Sequence, residues 1–254
     1  MAQGVDISSA VLDEQTMDGG VITFFDPLTY VSAGIATDKA CDFIRDKRFA
    51  EAYEHTVKVA NPTPFAGIHH EWRVFTCIWA AVIGSTLEGD FVECGVNKGF
   101  MTNAILKYLD FDSLGKKFYL LDTFCGIPEE MAHQDELETV KFHNADYSEC
   151  FENAKNLFST YKNTVLVRGI IPDTLSQVTS EKIAYLSIDL NIAAPEMAAI
   201  EYFWPRMSKG AMVVIDDYGW RSQANQRKAW NAWAAAHGAF LYPTPLGTAL
   251  VIKS

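Results

Sequence analysis

Length, composition and charge limit the kind of protein that this chain encodes. Its 254 residues, 49% of them hydrophobic, are enough for one α/β domain with a modest N-terminal extension. The 32 acidic and 21 basic side chains give a formal net charge of −11, which argues against a nucleic-acid partner because cations bind phosphate backbones. The five cysteines include no C-x-x-C pair, and we find no export signal and no run of about 18 apolar residues. We therefore expect a cytoplasmic protein without a disulfide framework, a zinc ribbon or membrane contact.

The N-terminal part of the chain, residues 1–69, is predicted to form an arm or lid followed by a helix. Residues 1–37 are rich in Gly, Ser, Asp and Thr and show no sustained hydrophobic period. Aromatic side chains cluster there, at Phe24, Phe25 and Tyr30. They are expected to form a substrate lid or, more simply, to pack as core or as a subunit contact. Asp38 is predicted to cap the helix, which ends near Val59.

The second predicted domain, residues 70–254, alternates apolar strand-like runs with helical patterns. The predicted strands are 91–94, 118–122, 164–168, 183–189 and 211–215. The predicted helices are 70–87, 99–109, 148–161, 196–207 and 222–236. This alternation predicts an α/β fold with a doubly wound parallel sheet and helices on both faces. Two short apolar runs around a Pro- and Gly-rich turn at 243–247 predict a closing antiparallel β-hairpin.

The turn after the first strand of this domain, Glu93-Cys94-Gly95-Val96-Asn97-Lys98-Gly99, places an acid before two glycines. A dinucleotide fingerprint would carry three glycines and seat a pyrophosphate, which Glu93 would repel. Glu93 suits an amino group or a sulfonium instead, and Asp122 at the end of the second strand can accept both ribose hydroxyls. Taken singly, these features are more simply a tight turn and a cap. Together they favour an adenosyl group with a cationic amino-acid tail.

Three acids follow two later strands. Asp189 ends one strand, and Asp216 and Asp217 end the next after an interval the size of one βαβ unit. Neighbouring parallel strands lie ~4.8 Å apart, so these carboxylates can share a ligand at the edge where open α/β sheets bind ligands. Buried acids crowded together need protonation, cationic partners or a metal ion. Three carboxylates without His or Cys would favour a hard cation as that metal. The alternative for the pair is a helix N-cap ahead of Ser222.

These motifs resemble those of the macrocin O-methyltransferase family of class I S-adenosylmethionine-dependent enzymes. The family includes noviose O-methyltransferases. The resemblance extends to the segment after the second strand, Leu121-Asp122-Thr123-Phe124-Cys125-Gly126-Ile127-Pro128. The resemblance covers roughly residues 70–252. It implies a Rossmann-like class I methyltransferase sheet, a homo-oligomer, and methylation of a hydroxyl on a sugar or glycosylated small molecule. It implies Mg²⁺ bound by Asp189, Asp216 and Asp217, with Asp189 also as proton acceptor. The implied S-adenosylmethionine contacts are Glu93, Gly95, Val96, Gly99, Asp122, Thr123, Phe124 and Gly169.

Two departures from the family pattern concern the acceptor and the glycine turn. Asn191 stands where the family often has Asp, and Asn97-Lys98 replace the usual Trp-Arg. The first bears on contacts to the acceptor hydroxyls, whereas the second leaves the glycine scaffold intact. A catechol-type diol O-methyltransferase is a second reading, weakened because Ile192 stands where that group commonly has Lys. A non-catalytic S-adenosylmethionine- or nucleotide-binding module and an NAD-dependent oxidoreductase are further alternatives.

Several other side chains have two possible roles. Arg73 is expected to bind the carboxylate of the methionine moiety or to pair with an acid. Trp220 and Arg221 follow the acid pair and are candidates for a rim contact with substrate. The tryptophans at helical positions, Trp204, Trp230 and Trp233, are expected to be core.

Overall fold

The computed structural model describes residues 26–60 and 69–254. The predicted contacts of Phe24 and Phe25 therefore lie outside the described residues. Tyr30 is buried, and its hydroxyl donates to the His69 carbonyl at 3.0 Å and to the Glu71 carboxylate at 3.2 Å. The Tyr30 side chain therefore packs in the protein core, which was the simpler of the two roles expected for it.

A small antiparallel hairpin that the sequence did not reveal precedes the first helix. Its strands are β1 (Tyr30–Ser32) and β2 (Ile35–Thr37). The connecting residues Ala33 and Gly34 have φ of 50° and 79°, the left-handed pair that a tight hairpin turn requires. Alanine is uncommon at such a position, so the turn carries a weak sequence signal.

The first long helix, α1 (Lys47–Ala60), begins later than predicted. Asp46 fills the capping role, because its Oδ1 accepts a hydrogen bond from the Phe49 amide at 2.9 Å. Asp38 is therefore wrong as the cap. A 3₁₀ turn at Asp42–Arg45 separates the two acids, and α1 packs against a helix of the sheet domain.

Seven strands form one mixed sheet. They are β3 (Asp90–Cys94), β4 (Phe118–Asp122), β5 (Thr164–Arg168), β6 (Ile183–Ile188), β7 (Met207–Ile215), β8 (Tyr242–Pro243) and β9 (Ala249–Ile252). Their order is β5-β4-β3-β6-β7-β9-β8, with β3 to β7 parallel and the last two antiparallel. The predicted doubly wound sheet and closing hairpin are confirmed. The strand order reverses at β3 and β6, which is where such sheets bind ligands.

Helices cover both faces of this sheet. They are α2 (Glu71–Ser85), α3 (Phe100–Leu109), α4 (Leu137–Asn144), α5 (Phe151–Phe158), α6 (Ala193–Phe203) and α7 (Ala224–His237). Two large clusters of buried apolar residues lie on the opposite faces, one beneath α2 and α3 and the other beneath α6 and α7. Trp204, Trp230 and Trp233 are buried in the second cluster, as predicted. In the part of the chain that is described, no helix is long and apolar enough to span a bilayer.

Helix α4 was not predicted, and it is the element that roofs one side of the sheet edge. Its eight residues present one buried apolar side chain, Val140, which packs with Ile127 and Ile192. Asn144 anchors its end, since Oδ1 accepts from the Ile127 amide at 2.8 Å and Nδ2 donates to the Ile127 carbonyl at 3.0 Å. So short and polar a segment has no readable hydrophobic period.

Candidate active site

A cavity of about 780 Å³ lies at the carboxyl ends of the central parallel strands. Its wall includes the turn after β3, the residues that follow β4, β6 and β7, and one side of α4. This volume is within the range of ligand sites in proteins and exceeds what a water cluster needs. The cavity occupies the place at which the strand order reverses.

The β3 side of the cavity is shaped by two acids. Glu93 is buried, its Oε2 accepts from the Thr102 hydroxyl at 2.7 Å, and burial raises the pKa of this carboxyl to about 8. A cationic group placed beside Glu93 would return it to the charged form. Asp122 Oδ2 accepts from the amides of Val96 and Asn97 at 2.6 and 2.7 Å, and Oδ1 from the Phe124 amide at 2.5 Å. Asp122 thereby ties the glycine turn to β4.

The two glycines of the turn are required by the protein's own packing. A Cβ on Gly95 would lie 1.7 Å from the Asp189 carbonyl oxygen, and one on Gly99 would lie 2.3 Å from the Phe158 ring. Both residues have positive φ, 90° and 80°. Both glycines therefore allow close packing, one against the residue that follows β6 and the other against α5.

Seven of the eight predicted cofactor residues line the cavity, namely Glu93, Gly95, Val96, Asp122, Thr123, Phe124 and Gly169. Gly99 does not, because it lies beneath Phe158. The role of each residue in binding S-adenosylmethionine stays a prediction, with Gly99 placed to act only through the shape of the turn.

The three predicted metal acids meet in the same cavity, directly after β6 and β7. Main-chain bonds extend the ladder past the strands, since the Asp189 amide donates to Cys94 at 2.8 Å and the Asp216 amide to Ile188 at 3.0 Å. One carboxylate oxygen from each of Asp189, Asp216 and Asp217 lies within 4.8 Å of the others. Burial, followed by the Asp216 charge, raises the pKa of both Asp189 and Asp217.

Arg73 reaches this acid cluster from α2. Its guanidinium Nη2 donates to Asp216 Oδ2, and both side chains are largely buried. The pairing settles one of the two expectations for Arg73, because the arginine is engaged with an acid. It also supplies one positive charge to three crowded carboxylates.

The donor set fits a hard divalent cation. Asp217 Oδ2 is buried without a hydrogen-bond partner, an arrangement that costs free energy unless a ligand satisfies it. Oxygen ligands at this spacing match the preference of Mg²⁺, which keeps further positions for water or substrate oxygens. Asp189, Asp216 and Asp217 are the residues that would hold such an ion.

Sequence reasoning assigned no structural contact to Asn191 and missed the aromatic residues around α4. Asn191, at φ 63°, donates from Nδ2 to Asp189 Oδ1 at 3.0 Å and lines the cavity. Phe142, His143 and Tyr147 also line it. The positive φ of Asn191 follows from a known preference of asparagine and was a readable signal. The aromatics depend on α4, whose position no local pattern encodes.

Comparison with known proteins identifies the class and then the family. The sheet order, with its antiparallel last strands, is that of class I methyltransferases, and the structure of the O-methyltransferase NovP matches with a TM-score of 0.66. That match covers 81% of this chain and 99% of NovP at 18% identity, so it shows the fold. Residues 71–241 match the family model described as macrocin O-methyltransferase. The chain belongs to the macrocin O-methyltransferase family.

Two curated relatives agree with this assignment. An 8-demethyl-8-(2,3-dimethoxy-alpha-L-rhamnosyl)-tetracenomycin-C 4'-O-methyltransferase from Streptomyces olivaceus is 26% identical over 148 residues, which is 54% of this chain and 56% of that protein. A demethyldecarbamoylnovobiocin O-methyltransferase from Streptomyces niveus is 25% identical over 169 residues, 63% of each chain. This chain thus spans somewhat less than two thirds of the length of these relatives.

Proposed function

We propose that this protein is an S-adenosylmethionine- and Mg²⁺-dependent O-methyltransferase that acts on a hydroxyl of a sugar in a small molecule. The observation that carries the proposal is one cavity lined both by seven of the predicted cofactor residues and by the three acids. Family membership supports methyl transfer to oxygen. The name of the Streptomyces olivaceus relative, which contains a rhamnosyl group on tetracenomycin C, supports a sugar-bearing acceptor.

The residues after β3 and β4 would bind and orient the methyl donor. Glu93 would pair with the amino group of the methionine moiety, and this contact would favour its charged form. Asp122 already accepts from three amides and, at 3.3 Å, from the Thr123 hydroxyl, so a ribose hydroxyl would take the place of the Thr123 contact. When bound, S-adenosylmethionine supplies a methyl group on a positively charged sulfur, which leaves as neutral S-adenosylhomocysteine once the methyl is on oxygen.

The three acids would bind the metal ion and accept the proton of the acceptor hydroxyl. Asp189, Asp216 and Asp217 would hold a Mg²⁺ ion, which would supply the positive charge that lowers the pKa of an acceptor hydroxyl. Asp189 would take the hydroxyl proton as the oxygen gains the methyl, and Asn191 would hold its carboxylate in place through the Nδ2 bond. Arg73 fixes the orientation of Asp216. Homo-oligomerisation and a cytoplasmic location stay predictions.

The metal assignment is tested by Asp217→Asn. Asp217 carries the unsatisfied buried oxygen, so its loss should lower kcat/KM for labelled methyl transfer to a panel of glycosides by at least about 100-fold. Asp173→Asn, an exposed acid outside the cavity, should stay within about twofold of the unmodified protein. Full turnover in excess chelator would exclude the metal role. S-adenosylmethionine binding without any methylated product would favour the non-catalytic module.

A further inference from the structure

The cavity wall contains side chains that have no task in the mechanism described so far. Trp220 belongs to the wall and Arg221 does not, which leaves one of the two predicted rim contacts. Tyr147 also lines the cavity. Its hydroxyl forms no hydrogen bond with residues 26–60 or 69–254, and its oxygen is accessible to solvent. The phenol can therefore donate to a ligand in the cavity.

The Tyr147 ring is held in place on two sides. It stacks on the His143 ring, with centroids 5.9 Å apart and an interplanar angle of 16°. It also packs against the small apolar cluster of Ile127, Val140 and Ile192. The Tyr147 amide donates to the His143 carbonyl oxygen at 3.1 Å, which fixes the backbone. The hydroxyl is thus presented from one position, as a selective contact with a ligand requires.

The phenol lies within electrostatic reach of the carboxylates in the cavity. Burial, followed by the charges of Asp189, Asp217, Asp216 and Asp122, raises the pKa of Tyr147. The hydroxyl therefore keeps its proton at neutral pH and acts as a donor. An unperturbed phenol, with a pKa of about 10, is protonated there as well, so this property does not depend on whether a cation neutralises the three acids.

A donor that keeps its proton is poorly suited to contact the oxygen that is methylated. Under the proposed mechanism that oxygen gives its proton to Asp189 and directs a lone pair at the methyl group, and a hydrogen bond to it would weaken the lone pair as a nucleophile. A second hydroxyl of the same acceptor has no such requirement. Because the hydroxyls of a sugar resemble one another chemically, one of them is selected by binding another.

We propose that Tyr147 determines which hydroxyl of the acceptor is methylated, by donating a hydrogen bond from its phenol to a neighbouring acceptor oxygen. The inference rests on the proposed function and adds the residue that fixes its regiochemistry. Without this hydrogen bond the acceptor binds in more than one orientation, so the methyl group reaches other oxygens. Asp189 and the methyl donor keep their roles in each orientation.

Tyr147→Phe, which keeps the ring and its packing, tests the contact. The unmodified full chain is first given S-adenosylmethionine, Mg²⁺ and a panel of 4-nitrophenyl glycosides, and the glycoside that is methylated fastest is then given to the variant. NMR of the methyl ethers identifies the methylated positions. The ratio of the main product to its positional isomers should fall about tenfold, as expected for one lost hydrogen bond. Tyr242→Phe, at an exposed tyrosine outside the cavity, is the matched control and should leave the ratio unchanged.

Deoxy forms of the same glycoside identify the oxygen that Tyr147 binds. Removal of that oxygen should lower kcat/KM about tenfold for the unmodified protein and less than about twofold for Tyr147→Phe, because the variant has already lost the hydrogen bond. The Kd of S-adenosylhomocysteine should be the same for both proteins.

Three results would contradict this role of Tyr147. An unchanged product ratio in Tyr147→Phe, or an equal mixture of isomers from the unmodified protein, would overturn the inference and leave the proposed function intact. A weaker affinity of Tyr147→Phe for S-adenosylhomocysteine with an unchanged product ratio would assign the phenol to the methyl donor instead. Failure of the unmodified protein to methylate any glycoside would refute the proposed function and this inference with it.

Discussion

Glu196 shows how one buried carboxyl makes the stability of this protein depend on pH. It lies on α6, where Oε1 accepts from Gln226 Nε2 at 2.9 Å and Oε2 from Trp230 Nε1 at 2.7 Å. Burial outweighs these bonds and raises its pKa from 4.5 to about 8. Between these values the folded protein keeps a proton that the unfolded chain has lost. The free energy of unfolding therefore falls as pH rises from about 4.5 to about 8.

Glu196→Gln should remove this contribution. The variant cannot ionise, and Gln226 Oε1, which has no partner, can accept from the new amide if the Gln226 side chain turns over. Relative to the variant, the unmodified protein should lose up to about 1.4 kcal/mol of unfolding free energy per pH unit. Urea unfolding at pH 5.5, 6.5 and 7.5 measures the difference. Parallel pH profiles for the two proteins would show that Glu196 is ionised in the folded state.

At the scale of elements, the ends of β3 and β6 are fixed to each other by backbone contact. The carbonyl oxygen of Asp189 occupies the space that a side chain at position 95 would need. The two halves of the site, the glycine turn and the first acid, are consequently set at one distance by main-chain atoms. Main-chain contact keeps the glycine turn and Asp189 at a fixed spacing better than flexible side chains would.

Gly95→Ala should be far more damaging than another glycine replacement at similar φ. The new Cβ would meet the Asp189 carbonyl oxygen at 1.7 Å, so the strand ends must separate at a cost of about 3 kcal/mol or more. Gly34→Ala, at φ 79° with no atom within 4 Å of the added carbon, should cost only about 1–2 kcal/mol of backbone strain. Chemical denaturation measures both. Similar losses for the two variants would mean that the β3 and β6 ends are not in contact.

The sequence was most informative where one element carried its own period or motif. The five parallel strands were predicted to within a few residues because each is a mainly apolar run that ends in, or is followed by, a polar residue or glycine. Helix starts were less readable, as with Asp46, because several acids compete for the cap. Met207 begins β7 and does not end the preceding helix as predicted, since a 3₁₀ turn at Trp204–Arg206 completes that helix.

For the site, too, the sequence predicted the residues that follow a strand and missed those that depend on tertiary packing. The acids Asp189, Asp216 and Asp217 were predicted to meet because parallel strands end at one edge, and their oxygens do lie together. The presence of Phe142, His143 and Tyr147 at the cavity depends on where α4 packs, which is fixed by the tertiary contact of Val140. Local sequence does not encode which turn of chain covers a sheet edge.

For the whole molecule, the cavity joins elements that are distant in sequence, so a bound ligand should stabilise the entire fold. S-adenosylhomocysteine at about 100 times its Kd should add about 2.7 kcal/mol to the unfolding free energy. For a chain of this length that corresponds to a rise in Tm of roughly 5–10 °C. Thermal unfolding with and without the ligand measures the shift.

Two controls test whether the shift in Tm is specific to S-adenosylhomocysteine and independent of the metal. NADH should leave Tm unchanged, because the turn after β3 has two glycines where a dinucleotide fingerprint has three. Chelator should leave the S-adenosylhomocysteine shift in place, since the predicted cofactor contacts do not include the metal acids. A shift with NADH alone would support the oxidoreductase alternative instead.

In α4, the residues that hold the helix in place differ from the residues that it presents to the cavity. The helix is held through its buried side, by Val140, by Asn144 and by the Glu136 carboxylate, which accepts from the Ala193 amide at 3.0 Å. Its outward residues, including Glu138 and Phe142, bear no part of the sheet core. Mutations there carry little folding cost. In the proposed methyltransferase, the residues that this short helix presents to the cavity can therefore change without loss of the fold or of the three acids.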